Sequence, residues 1–387
     1  MESAVTAKKR NKKIELKRHS FDFPLFIGVL TICAFGLVMM YSASYYYGLT
    51  KYGDGAYFIK RQLIFVAIGM FVMLVLSNIK YSIYRNGTVN ILAYFGVMGL
   101  IFLTLLFPPI NEARRWIPLG FFNLQPTEIA KFVLVITLSN IMSRKVNMQN
   151  LIVGIVPTLL ILLGFSLPTV LQPNFSMVVM FALTTYLMLY LGGTLRSHRL
   201  LLILLGAAAI VVLIMIQGYR LNRISTFINP EADPTGSGYQ GMQSRIALGN
   251  GGFFGTGLNF SRQKLLFLPE RENDYILSII GEELGFLGVI ILLAGYFFVI
   301  YRGITIALRC PDKFGRLLAG GITGVFAIQV IINVGVASGA LPSTGQTLPL
   351  ISYGGTSMIV FLAALGILLN ISRFTEVETK NARRNEK

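Results

Sequence analysis

The chain has 387 residues, of which 54% are apolar and only 13% are charged. A soluble domain usually carries about 25% charged residues, so this composition excludes a soluble globular enzyme, a disordered chain and a disulfide scaffold. It predicts an all-α integral membrane protein. The formal net charge is +17, and because the basic residues lie between apolar segments, the positive-inside rule explains this charge better than nucleic-acid binding does.

Ten apolar segments are long enough, or nearly long enough, to cross a bilayer, which takes about 20 residues. They are Phe23–Ala43, Phe58–Ser77, Val89–Phe107, Thr127–Met142, Ile152–Leu171, Phe175–Leu191, Leu200–Ile216, Tyr275–Ile300, Leu317–Ala337 and Thr356–Ile371. An even number of spans places both termini on one side, and the basic tails and alternate basic loops identify that side as cytoplasmic. The stretch after the basic start is too long for the core of a cleavable signal peptide. We therefore expect a basic tail at 1–22, a ten-span domain at 23–373 and a second cytoplasmic tail at 374–387.

In this topology one long external loop, residues 218–273, joins the seventh and eighth spans. Loops of this length are usually functional or disordered, and the tyrosines, glycines and apolar residues of this one favour function. Two shorter external segments, Pro108–Pro126 and Leu341–Gly355, also carry polar residues. No internal repeat is strong enough to indicate an inverted-repeat transporter.

The residue inventory limits the chemistry available on the external face. Both histidines, His19 and His198, fall on the cytoplasmic side, and Cys33 and Cys310 lie far apart in the sequence. Neither a Ser-His-Asp set nor a Cys/His metal cluster is therefore expected outside. Chemistry there must depend on carboxylates, cations and hydroxyls.

Three carboxylates, Glu270, Glu272 and Asp274, crowd the start of the eighth span. Asp274 either caps the helix N-terminus or, with a pKa raised by like charges and partial burial, acts as a general base. At about 100° per residue, Glu282 lies roughly 80° round the helix from Asp274, and Glu283 lies roughly opposite. Only Glu282 is then expected to approach the same cavity, whereas Glu283 needs a bend or another neighbour.

Two further groups of charges have both a structural and a functional interpretation. Glu128 and Lys131 lie three residues apart on the fourth span, so they form an internal salt bridge, line a functional cavity, or do both. Arg114 and Arg115 precede Trp116, the only tryptophan. The arginines either extend to the membrane interface or bind a phosphate group.

Two local motifs are set aside. The glycine-rich segment Gly249–Gly257 lacks the Gly-Lys-Ser/Thr ending of a P-loop, so tight turns or close backbone approach explain it better. Leu341–Gly345 matches a sortase anchoring signal, but cleavage there would remove the last predicted span. We interpret that match as a coincidence.

Six longer motifs follow one another along the chain. They are Asn111-Glu-Ala-Arg-Arg-Trp-Ile117, Gln125-Pro-Thr-Glu-Ile-Ala-Lys131, Asp233-Pro-Thr-Gly-Ser-Gly-Tyr-Gln240, Leu268-Pro-Glu through Asp274, Gly281-Glu-Glu-Leu-Gly285 and Leu348-Pro-Leu-Ile-Ser-Tyr-Gly-Gly355. In this order and spacing they resemble the SEDS family, the shape, elongation, division and sporulation proteins of the FtsW/RodA type. The resemblance extends from about Phe23 to Phe374, and Tyr239-Gln240 is slightly nearer to the division branch.

The resemblance implies a ten-span protein of the bacterial cytoplasmic membrane. It also implies a peptidoglycan glycosyltransferase that polymerises lipid II at the outer face, together with a class B penicillin-binding protein, a transpeptidase. The positions that match functional residues of the family are Asp274 for the essential aspartate, Glu270, Arg115, Lys131, Glu282 and Glu283.

The sequence departs from the family pattern at a few positions. Asn174 replaces a usual aspartate, Asn273 and Tyr275 flank Asp274 where threonine and phenylalanine are typical, and Glu112 replaces a common glycine. The amide at Asn174 puts any acidic role of that position in doubt, and it makes a divergent paralogue a further interpretation. Asp274 itself is kept.

On this basis we expect Asp274 to deprotonate the acceptor hydroxyl, which attacks the anomeric carbon with inversion. Arg115 and Lys131, together with Arg114, would neutralise the departing pyrophosphate, and a divalent cation such as Mg²⁺ would suit the carboxylates and pyrophosphate. Glu270 with Glu282 or Glu283 would orient the site.

Two alternatives stay open. One is a lipid II transporter (flippase), for which the charges Glu128, Lys131, Glu282 and Glu283 would form part of a path across the membrane. The other is a non-catalytic scaffold for a transpeptidase, in which the loss of Asp274 would have no effect.

Overall fold

The computed structural model describes residues 19–110, 113–144, 147–216, 226–229 and 237–375. Within these ranges the architecture is a bundle of α-helices with one small hairpin. The helices are α1 (Phe23–Tyr52), α2 (Tyr57–Asn78), α3 (Gly87–Leu103), α4 (Pro126–Ser143), α5 (Val156–Leu171), α6 (Phe175–Leu191), α7 (Arg196–Ile216), α8 (Ser237–Gly251), α9 (Ile276–Arg309), α10 (Lys313–Ala337) and α11 (Gly355–Ser372). The hairpin pairs β1 (Ile117–Pro118) with β2 (Asn123–Leu124) in antiparallel register.

A helix coincides with each of the ten predicted spans, and α8 is an additional helix inside the predicted long loop. In the part of the chain that the structure describes, seven helices are long and apolar enough to cross a membrane: α1, α2, α3 with its extension to Leu106, α5 with its start at Leu151, α9, α10 and α11. Phe175–Leu191 is a shorter apolar helix. The all-α membrane class is thus confirmed, while Glu112, part of the long loop and most of both tails lie outside the described residues.

Two helices are longer than the sequence predicts. α1 continues from Ala43 to Tyr52, and α9 continues from Ile300 to Arg309. The 30 residues of α1 make a helix of about 45 Å, which exceeds the roughly 30 Å of a hydrocarbon core. The hydropathy of a sequence shows where a helix leaves the apolar layer, but not where the helix ends. The end of α1 is set by Gly53, which has a left-handed conformation (φ 69°).

The first and last described segments lie against each other. The His19 amide donates to the Arg373 carbonyl over 2.9 Å, and the Asp22 amide donates to the Ser372 hydroxyl over 2.9 Å. We call this part of the bundle the terminal end, and the opposite part, where α11 begins near Asp274, the loop end. Both described termini therefore share one side of the bundle, which is the arrangement that an even number of spans requires.

Burial separates central helices from peripheral ones. In the most apolar window of α11, 72% of the residues are buried, against 22% in α3. α11 packs along α2, while α10 packs on α9 and α4. α4, α10 and α11 therefore form the interior and present their polar residues to each other.

α9 is interrupted at Gly285, whose φ of 68° and ψ of −168° are not helical. The break frees backbone groups on both sides, and the glycine-rich segment 252–257 pairs with them. The four hydrogen bonds run from Thr256 N to Glu282 O (2.9 Å), Gly257 N to Glu283 O (3.0 Å), Phe286 N to Gly252 O (2.9 Å) and Leu287 N to Phe253 O (3.1 Å). A Cβ atom at Gly255 would overlap the Glu283 carbonyl. Close backbone approach, as predicted, is the reason for these glycines.

Candidate functional site

Asp274 lies half-buried at the loop end, just before α9. Tyr275 occupies the N-cap position of α9, and the helix begins at Ile276. Asp274 is therefore not the N-cap residue of α9, because Tyr275 lies between it and the first helical residue. Its carbonyl oxygen accepts a hydrogen bond of 2.9 Å from Asn333 Nδ2 on α10.

The segment between α10 and α11 covers the two residues before Asp274. Ser352 Oγ donates to the Asn273 carbonyl over 2.6 Å, and the Tyr353 amide donates to the Glu272 carbonyl over 2.8 Å. The Cβ position of Gly345 lies 3.7 Å from Asp274 Oδ2. The stretch that matches a sortase signal is thus folded beside the carboxylate, which agrees with the interpretation of that match as a coincidence.

Several buried polar atoms around this segment have no hydrogen-bond partner among the described residues. They are Asn333 Oδ1, Gln346 Oε1, Thr344 Oγ1, Asn273 Oδ1 and Asn174 Nδ2. Gln346 Nε2 contacts the sulfur of Met177 on α6 at 3.3 Å, and Asn174 immediately precedes α6, so α6 is part of the same surroundings. Unsatisfied buried polar groups are uncommon and require an explanation. A ligand with many hydroxyl groups would supply their partners.

Glu270 is exposed and belongs to a tight turn rather than to a cavity. Its φ is 52°, its carboxylate accepts a hydrogen bond of 2.6 Å from Asn273 Nδ2, and its carbonyl accepts from the amides of Asn273 (3.1 Å) and Tyr275 (3.3 Å). Glu270 thus fixes the course of the chain from 270 to 275, which carries Asp274.

Arg271 and Glu272, two charged residues that sequence reasoning did not single out as a pair, are both buried. The Arg271 guanidinium lies 4.7 Å from the centre of the Tyr47 ring at the end of α1, and it donates to the Leu268 carbonyl over 3.0 Å. Burial raises the pKa of Glu272 and lowers the pKa of Arg271, although each charge partly offsets the effect on the other. Nothing in a polar loop sequence signals this burial.

Lys131 is completely buried, and its predicted ion pair with Glu128 is confirmed at 2.9 Å. The ammonium group also donates to Gln329 Oε1 over 2.5 Å and lies 4.6 Å from the centre of the Phe361 ring. Gln329 in turn donates to the carbonyl of Thr347 over 3.0 Å. The cation is therefore connected to the segment that faces Asp274 through an uncharged glutamine, which no sequence motif marks as functional.

Arg114 and Arg115 point to different parts of the fold. Arg114 is exposed and donates to the Leu105 carbonyl over 3.0 Å. Arg115 is half-buried and donates to the Pro173 carbonyl, next to Asn174. Only Arg115 is thus joined to the region around α6, and the two guanidinium groups do not form a single clamp.

Glu282 and Glu283 are both buried, and both bind the segment of the long loop at 259–264. Glu282 accepts hydrogen bonds from the Ser261 hydroxyl and from the amides of Arg262 and Gln263. Glu282 is therefore directed at the loop, which corrects the expectation that it shares a cavity with Asp274.

Glu283 has another neighbour, as predicted. It forms an ion pair of 2.8 Å with Lys264 and accepts a hydrogen bond of 2.7 Å from Ser42 on α1. Lys264 also donates to Asn259 Oδ1 over 2.5 Å. The two glutamates of α9 hold the loop against the bundle.

The described residues hold no group of three or more His, Cys, Asp or Glu side chains that could bind a metal ion. Cys33 and Cys310 are both buried and unbridged. The predicted Mg²⁺ stays a prediction, and it would require ligands from the substrate pyrophosphate.

The chain belongs to the family of cell cycle proteins FtsW, RodA and SpoVE, whose sequence model matches residues 23–377. It is 42% identical over 365 residues to a probable peptidoglycan glycosyltransferase FtsW of Trichlorobacter lovleyi, with 91% of this chain and 93% of the relative covered. It is 38% identical over 364 residues to the stage V sporulation protein E of Bacillus subtilis, with 93% and 99% covered.

Solved structures show the same fold. A chain from a study of structural coordination of polymerization and crosslinking by a peptidoglycan synthase complex superposes with a TM-score of 0.76 at 27% identity, covering 92% of this chain and 99% of that chain. The rod shape determining protein RodA of Thermus thermophilus gives a TM-score of 0.67 at 26% identity, with 92% and 98% covered.

Proposed function

We propose that the chain is a peptidoglycan glycosyltransferase of the cytoplasmic membrane, which polymerises lipid II at the outer face with Asp274 as general base. The observation that carries the assignment of the site is the placement of Asp274. The residue is half-buried, and three backbone carbonyls from 272 to 274 are held by α10 and by the segment before α11. Its neighbours Asn273, Asn333 and Gln346 carry buried oxygens without a hydrogen-bond partner among the described residues. A fixed carboxylate beside unsatisfied polar groups suits a sugar hydroxyl.

In the proposed reaction the Asp274 carboxylate accepts the proton of the acceptor hydroxyl. The hydroxyl oxygen forms a bond to the anomeric carbon of the donor sugar, and the bond from that carbon to the pyrophosphate oxygen breaks. Attack from the opposite face inverts the anomeric centre. General base catalysis supplies about 10²–10⁴-fold, so the remaining acceleration must come from positioning and charge stabilisation.

Arg115 and Lys131 are the cations proposed to stabilise the departing pyrophosphate. Arg115 lies beside the start of α6, and Lys131 is connected to the Asp274 surroundings through Gln329. Arg114 faces the end of α3, so its proposed contribution is limited to the charge of the outer surface. Glu270, Glu282 and Glu283 are proposed to hold the loop that carries Asp274, and Glu128 to balance the charge of Lys131.

The distribution of buried charge favours a polymerase over a transporter. Among the described residues, the buried charged side chains are Glu128, Lys131, Lys264, Arg271, Glu272, Glu282 and Glu283. All of them belong to the first two turns of α4, the first three turns of α9 or the loop before α9. A path for a charged headgroup would need buried charges through the terminal half as well.

A class B penicillin-binding protein is the proposed partner, because polymerised strands must be crosslinked by a transpeptidase. The similarity to a chain from a peptidoglycan synthase complex supports this pairing.

The test is glycan polymerisation from purified lipid II by the protein co-purified with its cognate transpeptidase. Asp274→Asn keeps the size of the side chain but removes the base, so we expect a loss of about 10²–10⁴-fold in a folded protein. Asp54→Asn is the matched control, since Asp54 is another loop-end carboxylate, which pairs with exposed Lys60 at 2.8 Å and accepts a hydrogen bond from the Ala56 amide. We expect it to polymerise like the wild type.

Each alternative has its own outcome. Equal polymerisation by the wild type and Asp274→Asn would show that Asp274 is not the base. A wild type that moves lipid II across vesicle membranes without polymerising it would establish a transporter. A wild type with neither activity, whose transpeptidase still depends on its presence, would establish a scaffold.

A further inference from the structure

Two buried amide side chains on α10 lie between the candidate cation and the candidate base. Gln329 and Asn333 are four residues apart, so they occupy the same face of the helix one turn from each other. Both are completely buried. Neither residue carries a charge, and neither belongs to the six motifs that resemble the SEDS family.

Gln329 forms hydrogen bonds through both the oxygen and the nitrogen of its side-chain amide. Its Oε1 accepts from Lys131 Nζ over 2.5 Å, and its Nε2 donates to the Thr347 carbonyl over 3.0 Å and lies 3.3 Å from the Thr347 hydroxyl. One side chain thus joins α4 to the segment between α10 and α11. The Thr347 hydroxyl continues the network to Ser357 on α11 at 3.0 Å.

Asn333 makes the corresponding link to the other candidate group. Its Nδ2 donates to the Asp274 carbonyl over 2.9 Å and to the Gln346 carbonyl over 2.8 Å. The two carbonyls come from segments that are 72 residues apart in sequence, which is the difference between positions 346 and 274. Asn333 therefore fixes the chain at Asp274 to the residue that immediately precedes Thr347.

We propose that Gln329 and Asn333 are positioning residues that set the distance between the Lys131 ammonium group and the Asp274 carboxylate through their shared hold on residues 346–347. This inference rests on the proposed function, since it concerns the same site. A base and a leaving-group cation must act on one donor sugar together, and a displacement of about 1 Å can cost about 10²-fold in rate. Two amides one turn apart on a rigid central helix supply such a fixed spacing.

The test compares near-isosteric apolar variants with a matched control. Gln329→Met and Asn333→Leu remove the hydrogen bonds and keep the volume. Asn370→Leu is the control, because Asn370 is equally buried on α11 but lies at the terminal end. The side-chain oxygen Oδ1 of Asn370 accepts a hydrogen bond of 2.8 Å from the Tyr81 backbone N–H. Its Nδ2 donates a hydrogen bond of 2.8 Å to the Ser77 carbonyl.

We expect all three variants to lose thermal stability to a similar extent, since each loses two or three buried hydrogen bonds. Polymerisation per folded protein should separate them. Gln329→Met and Asn333→Leu should lower kcat at least about 10-fold with KM for lipid II changed less than about 3-fold, because positioning acts on the reacting geometry. Asn370→Leu should keep kcat within about 2-fold of the wild type.

A double variant tests the shared segment. Gln329→Met combined with Asn333→Leu should lower kcat by less than the product of the two single effects, since both amides hold residues 346–347. Gln329→Met or Asn333→Leu combined with Asn370→Leu should lower kcat by the product of the two single effects, because Asn370 lies at the other end of the bundle. Hydrogen exchange gives a readout without activity: Asn333→Leu should increase exchange in peptides covering 272–277 and 344–350, and Asn370→Leu should not.

Several results would overturn the inference while the proposed function stands. The first is a wild type that polymerises lipid II while Gln329→Met and Asn333→Leu keep its kcat. The second is a loss of kcat that is equal in these two variants and in Asn370→Leu. The third is unchanged hydrogen exchange at 272–277 in Asn333→Leu. A wild type that does not polymerise lipid II would instead remove the proposed function and the catalytic part of this inference together.

Discussion

Lys264 of the long loop and Glu283 of α9 form a buried ion pair whose Nζ and Oε1 atoms are 2.8 Å apart. The Ser42 hydroxyl on α1 lies within hydrogen-bond distance of both partners, at 3.1 Å from the ammonium and 2.7 Å from the carboxylate. Three separate parts of the chain thus meet at one charge-neutral contact. The loop is anchored inside the bundle, close to the break in α9.

The first prediction concerns this ion pair. Lys264→Met or Glu283→Gln alone should destabilise the protein by about 3–5 kcal/mol, because a buried charge is left without its partner. The double variant should recover most of the thermal stability and of the polymerisation rate, since it leaves no charge behind. Melting temperature in detergent and lipid II polymerisation measure the two effects. A stable but inactive double variant would show that the Glu283 carboxylate acts on substrate.

The second prediction concerns the other buried ion pair, Lys131–Glu128, for which the opposite result is expected. Lys131→Met with Glu128→Gln should also recover thermal stability relative to either single variant. Polymerisation should stay low, because the proposed role of Lys131 requires its positive charge at the pyrophosphate. The same two assays decide the matter. Full activity in this double variant would reduce Lys131 to a structural role.

The third prediction concerns the contact between the glycine-rich segment and the break in α9. Gly255→Ala should destabilise the protein and slow polymerisation, because the new Cβ would overlap the Glu283 carbonyl and the residue has a φ of 84°. Gly249→Ala is the control, since no atom lies within 4 Å of its Cβ position in α8, and alanine there should be neutral or more stable by up to about 1 kcal/mol. Equal melting temperatures for the two variants would contradict the close approach.

The fourth prediction concerns the pH dependence of stability and depends on Glu272. Burial raises the pKa of this carboxyl above its usual value of 4.5, so the unfolded chain loses its proton first as the pH rises. The folded state therefore loses stability between pH 4.5 and the raised pKa. Glu272→Gln removes this loss and should increase the melting temperature near pH 7 by about 1 °C for each 1 kcal/mol recovered, since the unfolding entropy is about 2.1 cal/mol/K per residue.

As the pH falls well below 4.5, Glu272 becomes protonated in both the folded and the unfolded state, so the melting temperatures of the wild type and Glu272→Gln should converge. Thermal scans in detergent from pH 4 to pH 7.5 measure the difference. A difference that is constant with pH would mean that Glu272 contributes through packing and not through its charge.

The helices could be predicted from the sequence because the bilayer imposes one requirement on every span. About 20 apolar residues are needed wherever a helix crosses, so each of the ten segments coincides with a helix. The break at Gly285 could not be predicted, since Gly281-Glu-Glu-Leu-Gly285 continues the apolar pattern of α9 on both sides. The break depends on segment 252–257, which lies some 30 residues earlier, and hydropathy carries no information about such pairing.

For the site, charge could be predicted but contacts could not. A carboxylate or a lysine inside an apolar span is conspicuous in the sequence. The charges of Glu128, Lys131, Glu282 and Glu283 therefore mark these residues as candidates for a site. Neutral amides such as Gln329 and Asn333 give no comparable signal, because they carry no charge and α10 remains apolar enough to span a membrane with both of them in it. Helical periodicity placed Glu282 near Asp274, yet the oxygens of Glu282 bind the loop instead, since a loop can fold back onto the helix that follows it.

The hydrogen bond from the Asp22 amide to the Ser372 hydroxyl joins residues 350 positions apart. The residue before α1 thus obtains this contact only after α11 has been made, in addition to its ion pair with Arg302 of α9. α2 likewise packs along α11, so both α1 and α2 have contacts that form only after α11 has been inserted. The packing of α1 and α2 is therefore completed long after their synthesis, when α11 takes its place among the described helices.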